Sequence, residues 1–471
     1  MTSPNTPTPK FDRTIVEGSI TKAVWRLAWP TMLQNIIGGF QGIVDHVMVG
    51  QFVGTAANAA IGVSLQIFIV VIVFISSIFT GMGVLVARFA GAGEADKVNR
   101  CVYQAFLTAV FLALGVMAPL GYFLAPGLLR IVNAAPEVQV EALPYIRIMF
   151  VFSLGMLMFF MFSGALRAAG DARTPLRLGI VMTVLNIILN VILIRGLGPI
   201  PAFGTRGAAM GTAIASGTVG VLFVVLLFSN RLVIQFSRSM AWRPDWVIIR
   251  ELFRFGLPAG IQGVAMNVAG VLLLGFVGSL AYSQDAQAAY AVGYLELFAF
   301  ITWTSVGLMG ATAAVAGQNL GAGRPERSAQ AARVASLVGL GMASVIGIFF
   351  LLIPRQLLAI FGMTGGVVVE LGVQLLRYLA VSGLFITVAL AYTGGLQGTG
   401  DTKSPLYISL ISQIVIPLGI CTLVQATRGL QPEDIWLAIL LGHITRCMLS
   451  VFRFRQGKWR EITVDIEPAR A

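Results

Sequence analysis

The sequence predicts an all-α polytopic membrane protein, with twelve transmembrane helices arranged as two pseudo-symmetric six-helix lobes. Three observations carry this prediction. Only 11% of the 471 residues are charged and 57% are hydrophobic, whereas soluble domains carry about 25% charged residues. So few charges cannot cover a water-soluble surface of this size, so lipid must solvate most of it. Apolar runs of about twenty residues, the length that spans a bilayer, recur along the chain. Short motifs also repeat at a nearly constant offset, which marks a tandem duplication.

The apolar runs place helices near 24–50, 56–87, 98–124, 142–167, 175–195 and 207–230. A second set lies near 251–280, 286–317, 330–354, 367–397, 403–426 and 433–452. The last run is expected to be the weakest span, because His443 and Arg446 fall inside it. The first twenty residues are polar and include Asp12 and Glu17, so they do not read as a cleaved signal peptide. Targeting then falls to the first helix itself.

Charge distribution tests the count. With the N-terminus in the cytoplasm, inner segments hold 24 Lys/Arg and outer segments 7, and Arg446, inside the last helix, completes the 32. A missed or invented helix would scramble this alternation. Both termini are therefore expected in the cytoplasm, and the compartment is the plasma membrane (the inner membrane of a bacterium). The formal net charge of +12 does not indicate nucleic acid, because the basic residues sit in short loops between apolar runs and not on one domain. Cys101, Cys421 and Cys447 lie in or beside apolar segments without metal-ligand spacing and read as small apolar residues.

The duplication is visible in three anchors. Leu27-Ala28-Trp29-Pro30 aligns with Phe255-Gly256-Leu257-Pro258, a shift of 228. Gly91-Ala92-Gly93 returns as Gly321-Ala322-Gly323, a shift of 230. The segment from Gly164 to Pro175, with Gly170 and Asp171, answers Gly394 to Pro405, with Gly400 and Asp401, again shifted by 230. Six helices per unit make the repeats parallel, with a pseudo-two-fold axis along the membrane normal and the substrate path between them. The expected organisation is an N-terminal segment (1–23), an N-lobe (24–230), a basic linker (231–249), a C-lobe (250–452) and a tail (453–471).

Along essentially its whole length the chain resembles the multidrug and toxic compound extrusion (MATE) family. The residues that carry the resemblance are the paired Gly-x-Leu-x-x-x-Gly-Asp-x-x-x-Pro loops at 164–175 and 394–405, Gly317-Gln318-Asn319-Leu320-Gly321-Ala322-Gly323, and Val44-Asp45-His46-Val47-Met48-Val49-Gly50. The resemblance implies a cation-coupled antiporter that exports amphipathic, often cationic, small molecules. It implies no cofactor beyond Na+ or H+ as coupling ion, and a monomer in contact with lipid. The major facilitator superfamily is disfavoured, because its usual basic loop after the second helix is replaced by Arg88-Phe89-Ala90-Gly91-Ala92-Gly93-Glu94.

A carboxylate within a span is costly and marks a functional candidate. Asp45 and Glu296 are the two clear cases. Asp45 reads either as an interfacial acid reaching water or as a cation or proton site, and the family motif favours the latter. Asn186 and Asn190, four apart, share a helix face. In members resembling this chain, an Asp, two amide or carboxylate residues and a Thr line the N-lobe cation site, which maps to Asp45, Asn186, Asn190 and Thr212. Some members have Asp where this chain has Asn190, which leaves sodium or proton open. Glu296 reads as a proton or substrate site, or as a hydrogen-bonded structural acid. No further acid lies between Leu252 and Gln284 or between Leu371 and Gly400, where some members carry one.

The remaining signals are structural. Pro30 either bends the first helix as a hinge or marks the start of the span. Asp171 and Asp401 are placed to cap the helices that follow, beside Gly170, Pro175, Gly400 and Pro405. His46 and His443 have no second metal ligand at helical spacing. Phe68, Phe74, Phe159, Phe160, Phe162, Phe298 and Trp303 either line a pocket for apolar cations or pack within the bundle. An enzyme would need a nucleophile–base or metal cluster, and two distant histidines do not make one. A lipid-precursor flippase of the same superfamily is the alternative transporter, disfavoured by spans nearly free of Lys and Arg.

Overall fold

The computed structural model describes residues 11–132, 135–229, 231–237, 240 and 243–466. The expected segment 1–23 and tail 453–471 fall partly outside these residues, as does Arg238 of the basic linker. Among the described residues every extended element is helical, apart from one isolated bridge between Leu197 and Ile200. Twelve long helical elements follow in order. In the first half they are α1 (Ile20–Phe52), α2 (Ala56–Ala92), α3 (Ala95–Phe123), α4 (Pro136–Val151 and Leu154–Ala168), α5 (Arg173–Arg195) and α6 (Thr205–Phe228). In the second they are α7 (Trp246–Gly278), α8 (Ser283–Gly321), α9 (Pro325–Leu352), α10 (Val367–Thr399), α11 (Lys403–Thr427) and α12 (Pro432–Arg455).

Ten of these are long and apolar enough to cross a membrane, or eleven if the two halves of α4, bent by 50°, count as one span. The element that falls short is α1, with Gln34, Asn35, Gln41, Asp45 and His46 along its length. The expectation that α12 would be the weakest span is thereby corrected. Its two basic residues are outweighed by apolar neighbours, whereas α1 carries five polar side chains in little more than three turns.

The chain divides into two compact units, one built from Ile36–Gly260 and the other from Ile15–Asn35 with Ile261–Thr463. The divisions fall inside α1 and α7, a few residues after Pro30 and Pro258. In the first unit, Gly81 of α2 lies against α7, where a Cβ would sit 2.1 Å from Leu252 O, and Gly155 meets Gly217 of α6 equally closely. Small residues let helix backbones touch in this way, and packing then replaces the hydrophobic drive that lipid cannot supply. Phe68 and Phe150 pack edge to face at 5.2 Å, and Phe162 sits 5.5 Å from Phe223.

In the second unit the residues just before α1 are held by the Gly317–Gly323 motif and the arginines that follow it. Asn319 Nδ2 donates to Ile15 O, Arg324 to Val16 O at 2.8 Å, and Arg327 to Gly18 O at 2.7 Å. The helix α10 is pressed onto α8 through Gly394 and Gly398, whose added Cβ atoms would lie 2.2 Å from Met309 O and 2.1 Å from Ala313 O. Gly170 and Gly400 adopt φ of 103° and 102°, the left-handed conformation that ends a helix and favours glycine. The next residue then caps the following helix. Asp171 Oδ1 accepts from the backbone N–H groups of Arg173 and Thr174, both at 3.0 Å, and Asp401 Oδ1 accepts from Ser404 N at 3.2 Å.

Candidate functional site

Within the first unit, α1, α5 and α6 bring polar side chains to one place. Asp45 faces α5, where Asn190 Nδ2 donates to its Oδ1 at 2.6 Å. Asn186, one turn earlier on α5, is fully buried, as is Asn190. Its amide best satisfies its neighbours with the nitrogen 3.2 Å from Asp45 Oδ1 and the oxygen 3.1 Å from Thr212 Oγ1. The Thr212 hydroxyl has one proton, which goes either to that oxygen or to Ala208 O, one turn back along α6. The four residues named from sequence therefore form one contiguous cluster.

Spacing alone fixes why they meet. Asn186 and Asn190 are one helical turn apart, so both amides project from a single stripe of α5 toward α1 and α6. Two further residues extend that stripe and were missed. Thr183, three residues before Asn186, donates to Gln41 Oε1 at 2.9 Å, and Gln41 lies one turn before Asp45 on α1. The same spacing rule applied outward from Asp45 and Asn186 would have found them. Tyr145 of α4, buried within electrostatic reach of Asp45, has no such sequence signal.

One atom in the cluster stands out. Asn190 Oδ1 is enclosed and has no hydrogen-bond partner among the described residues. A buried acceptor without a donor costs about 1–3 kcal/mol. The cluster thus carries one formal negative charge at Asp45, faced by the amide nitrogens of Asn190 and Asn186, with the side-chain oxygens of Asn186, Asn190 and Thr212 behind them. Oxygen ligands of this kind suit hard cations.

The chain matches the MatE family profile over residues 30–192 and 258–423, one stretch in each half. It belongs to the MatE family. The family is one of membrane transporters, not enzymes. A probable multidrug resistance protein NorM from Thermotoga maritima is 27% identical over 447 residues, covering 94% of each chain. The multidrug resistance protein MdtK of Pectobacterium atrosepticum is 25% identical, covering 91% of this chain and 94% of its own. Among solved structures, the outward-facing form of a multidrug resistance MATE transporter aligns with a TM-score of 0.87 at 20% identity, over 98% of this chain and all of that one. A MOP superfamily transporter from Pyrococcus furiosus aligns at 0.86 and 21%, over 98% and 100%. These likenesses establish the twelve-helix, two-lobe fold read from the sequence.

Within the MatE fold the other named residues are placed as follows. Glu296 belongs to the second unit, half-buried in a π-helical turn of α8 (Ala291–Leu297), with no hydrogen-bond or ion-pair partner among the described residues. Pro30 lies inside α1, ten residues after its start, so it does not mark the beginning of the helix. His46 bonds Asn58 at 2.7 Å, tying α1 to α2. Among the described residues no group of three His, Cys, Asp or Glu is arranged to hold a metal. Phe68, Phe159, Phe162 and Phe298 are buried packing residues, which removes them from any open pocket wall, while Phe74 and Phe160 are exposed.

Proposed function

We propose that the protein is a cation-coupled antiporter that exports amphipathic, often cationic, small molecules by alternating access, with the coupling ion held at Asp45, Asn186, Asn190 and Thr212. The observation that carries this reading is the enclosed, unpartnered Asn190 Oδ1 beside a carboxylate. A bound cation would satisfy the acceptor and balance the charge together. With both amides turned to offer oxygen in place of nitrogen, these residues would suit sodium. The names of the NorM and MdtK relatives support a drug-like cargo.

In this account the ion enters from outside, reaches Asp45 and favours release of cargo, and the empty carrier returns by the opposite exchange. Moving one charge inward down the membrane potential yields about 2.3 kcal/mol per 100 mV, a useful bias for one or two ions. Pro30 serves as the hinge, because proline removes one rung from the interior of α1 and crowds the preceding turn. The bend would sit about four turns before Asp45 along α1.

The test is ethidium efflux from vesicles containing the purified protein, driven by a sodium jump in one arm and a pH jump in the other. Sodium-driven efflux supports the reading. Efflux driven by pH and indifferent to sodium assigns the site to the proton, and efflux with neither gradient overturns ion coupling.

A further inference from the structure

The second unit holds a cluster of buried polar atoms that the cation site does not explain. On α12, Trp436 Nε1, His443 Nδ1, Arg446 Nε and Ser450 Oγ are all enclosed without a hydrogen-bond partner, as is Ser382 Oγ on α10. The four α12 positions are spaced by seven, three and four residues, which places them on one helix face. That face is interior. Arg446 is 7% exposed and His443 2%.

The wall opposite is aromatic. Rings stack in series from Trp436 onto Tyr290, then Tyr294, then Phe298, and back to His443 of α12, at centroid distances of 6.3, 5.1, 5.5 and 5.7 Å. Helical side chains point back toward the N-terminus, so the Arg446 guanidinium leads toward the level of His443. Both His443 and Tyr294 lie within its electrostatic reach. Tyr294 sits in the π-helical turn of α8, and a second such turn, Ile411–Val415 on α11, adjoins α12. Turns of this kind interrupt regular helix pairing and are frequent at functional sites.

The chemistry of the cluster is one-sided. Arginine and tryptophan are donors only, and serine and tyrosine hydroxyls can donate. No carboxylate pairs with Arg446 among the described residues. A guanidinium buried in an apolar bundle needs a counter-charge, and the acceptors on this face, hydroxyl oxygens and one imidazole nitrogen, are all neutral. A ligand here must be small, because α12 closes on α11 so tightly that a Cβ at Gly442 would lie 2.5 Å from Ser412 O. We propose that the second unit binds a small monovalent anion of the halide class, held by Arg446 with His443 and Ser450 on α12 and Tyr294 on α8.

The experiment is thermal unfolding of the purified full-length protein in a chloride series, with gluconate as replacement at fixed sodium, pH and ionic strength. A ligand that binds only the folded state raises the melting temperature saturably. Wild-type protein is expected to show that rise with chloride and not with gluconate, Arg446→Gln to lose it, and His443→Gln to shift its midpoint several-fold. If Arg446→Gln does not fold, Ser450→Ala together with His443→Gln supplies the same readout. Identical melting of the wild type in chloride and gluconate overturns the proposal. So does a chloride response of undiminished size in the variants. A chloride-indifferent Arg446→Leu that is more stable than a chloride-indifferent wild type would show the arginine to be a tolerated core residue.

Discussion

A Cβ at Gly211 would fall 2.2 Å from Asn190 Oδ1, so α6 can approach the oxygen cluster only because that position is glycine. The first prediction follows from this contact. Gly211→Ala must push Asn190 away from Asp45 or tilt α6, and such overpacking costs about 1–3 kcal/mol. The variant is expected to fold, to melt lower than wild type, and to lose most ion-driven efflux. Unchanged efflux would separate the position of Asn190 from transport.

Asn190→Asp would place a second carboxylate beside Asp45 without changing side-chain size. Added attraction for a cation is offset by repulsion between the two acids. We expect a net gain of about tenfold in sodium affinity, ~1.4 kcal/mol, read by calorimetric titration. Slower sodium release should reduce the turnover of efflux in the same variant.

The two Gly-Asp turns are not equivalent. Asp401 caps α11 and also pairs with Arg453 of α12 at 2.9 Å, its side chain only 6% exposed. Asp171 caps α5 and has no ion pair among the described residues. Loss of a cap alone costs about 1 kcal/mol, and loss of the half-buried pair with Arg453, which keeps its bonds to Ser404 and Gln456, adds up to about 1 kcal/mol. Asp401→Ala is therefore expected to lower the melting temperature clearly more than Asp171→Ala. Equal shifts would mean that the Arg453 pair contributes nothing.

A similar asymmetry separates Gly398 from its repeat counterpart Ala168. A methyl at Gly398 would collide with the backbone of α8, 2.1 Å from Ala313 O. Gly398→Ala should destabilise the protein or abolish its folded yield, whereas Ala168→Gly should cost only about 1 kcal/mol, the helix-propensity difference. Size-exclusion profiles of the two variants check this directly.

Much of the architecture was legible in the sequence because lipid imposes a coarse rule. Spans must be apolar and about twenty residues long, and loop charges alternate. What escaped was set by packing. The break at Ser77, the 50° bend between Val151 and Leu154 and the π-helical turn at Ala291–Leu297 lie inside mainly apolar runs, whose hydropathy carries no mark of a local change in helix pitch. The division of the units inside α1 and α7 is likewise invisible to hydropathy, which registers where a helix ends and not what it packs against.

The oxygen cluster was readable where helical spacing linked its members, as with Asn186 and Asn190. Gln41 and Thr183 obey the same spacing, and Gly211 emerges only from the close approach of α6. Arg446 was visible as a flaw in an apolar span. Its membership of a buried polar face with Trp436, His443 and Ser450 required knowing which side of α12 turns inward.

The central claim is that Asp45 holds the coupling ion, and equilibrium binding of radioactive sodium to purified protein tests it most directly. Wild-type protein should bind sodium saturably, and Asn in place of Asp45 should abolish that binding while leaving the protein folded. Undiminished sodium binding by a folded Asp45→Asn variant would contradict the account.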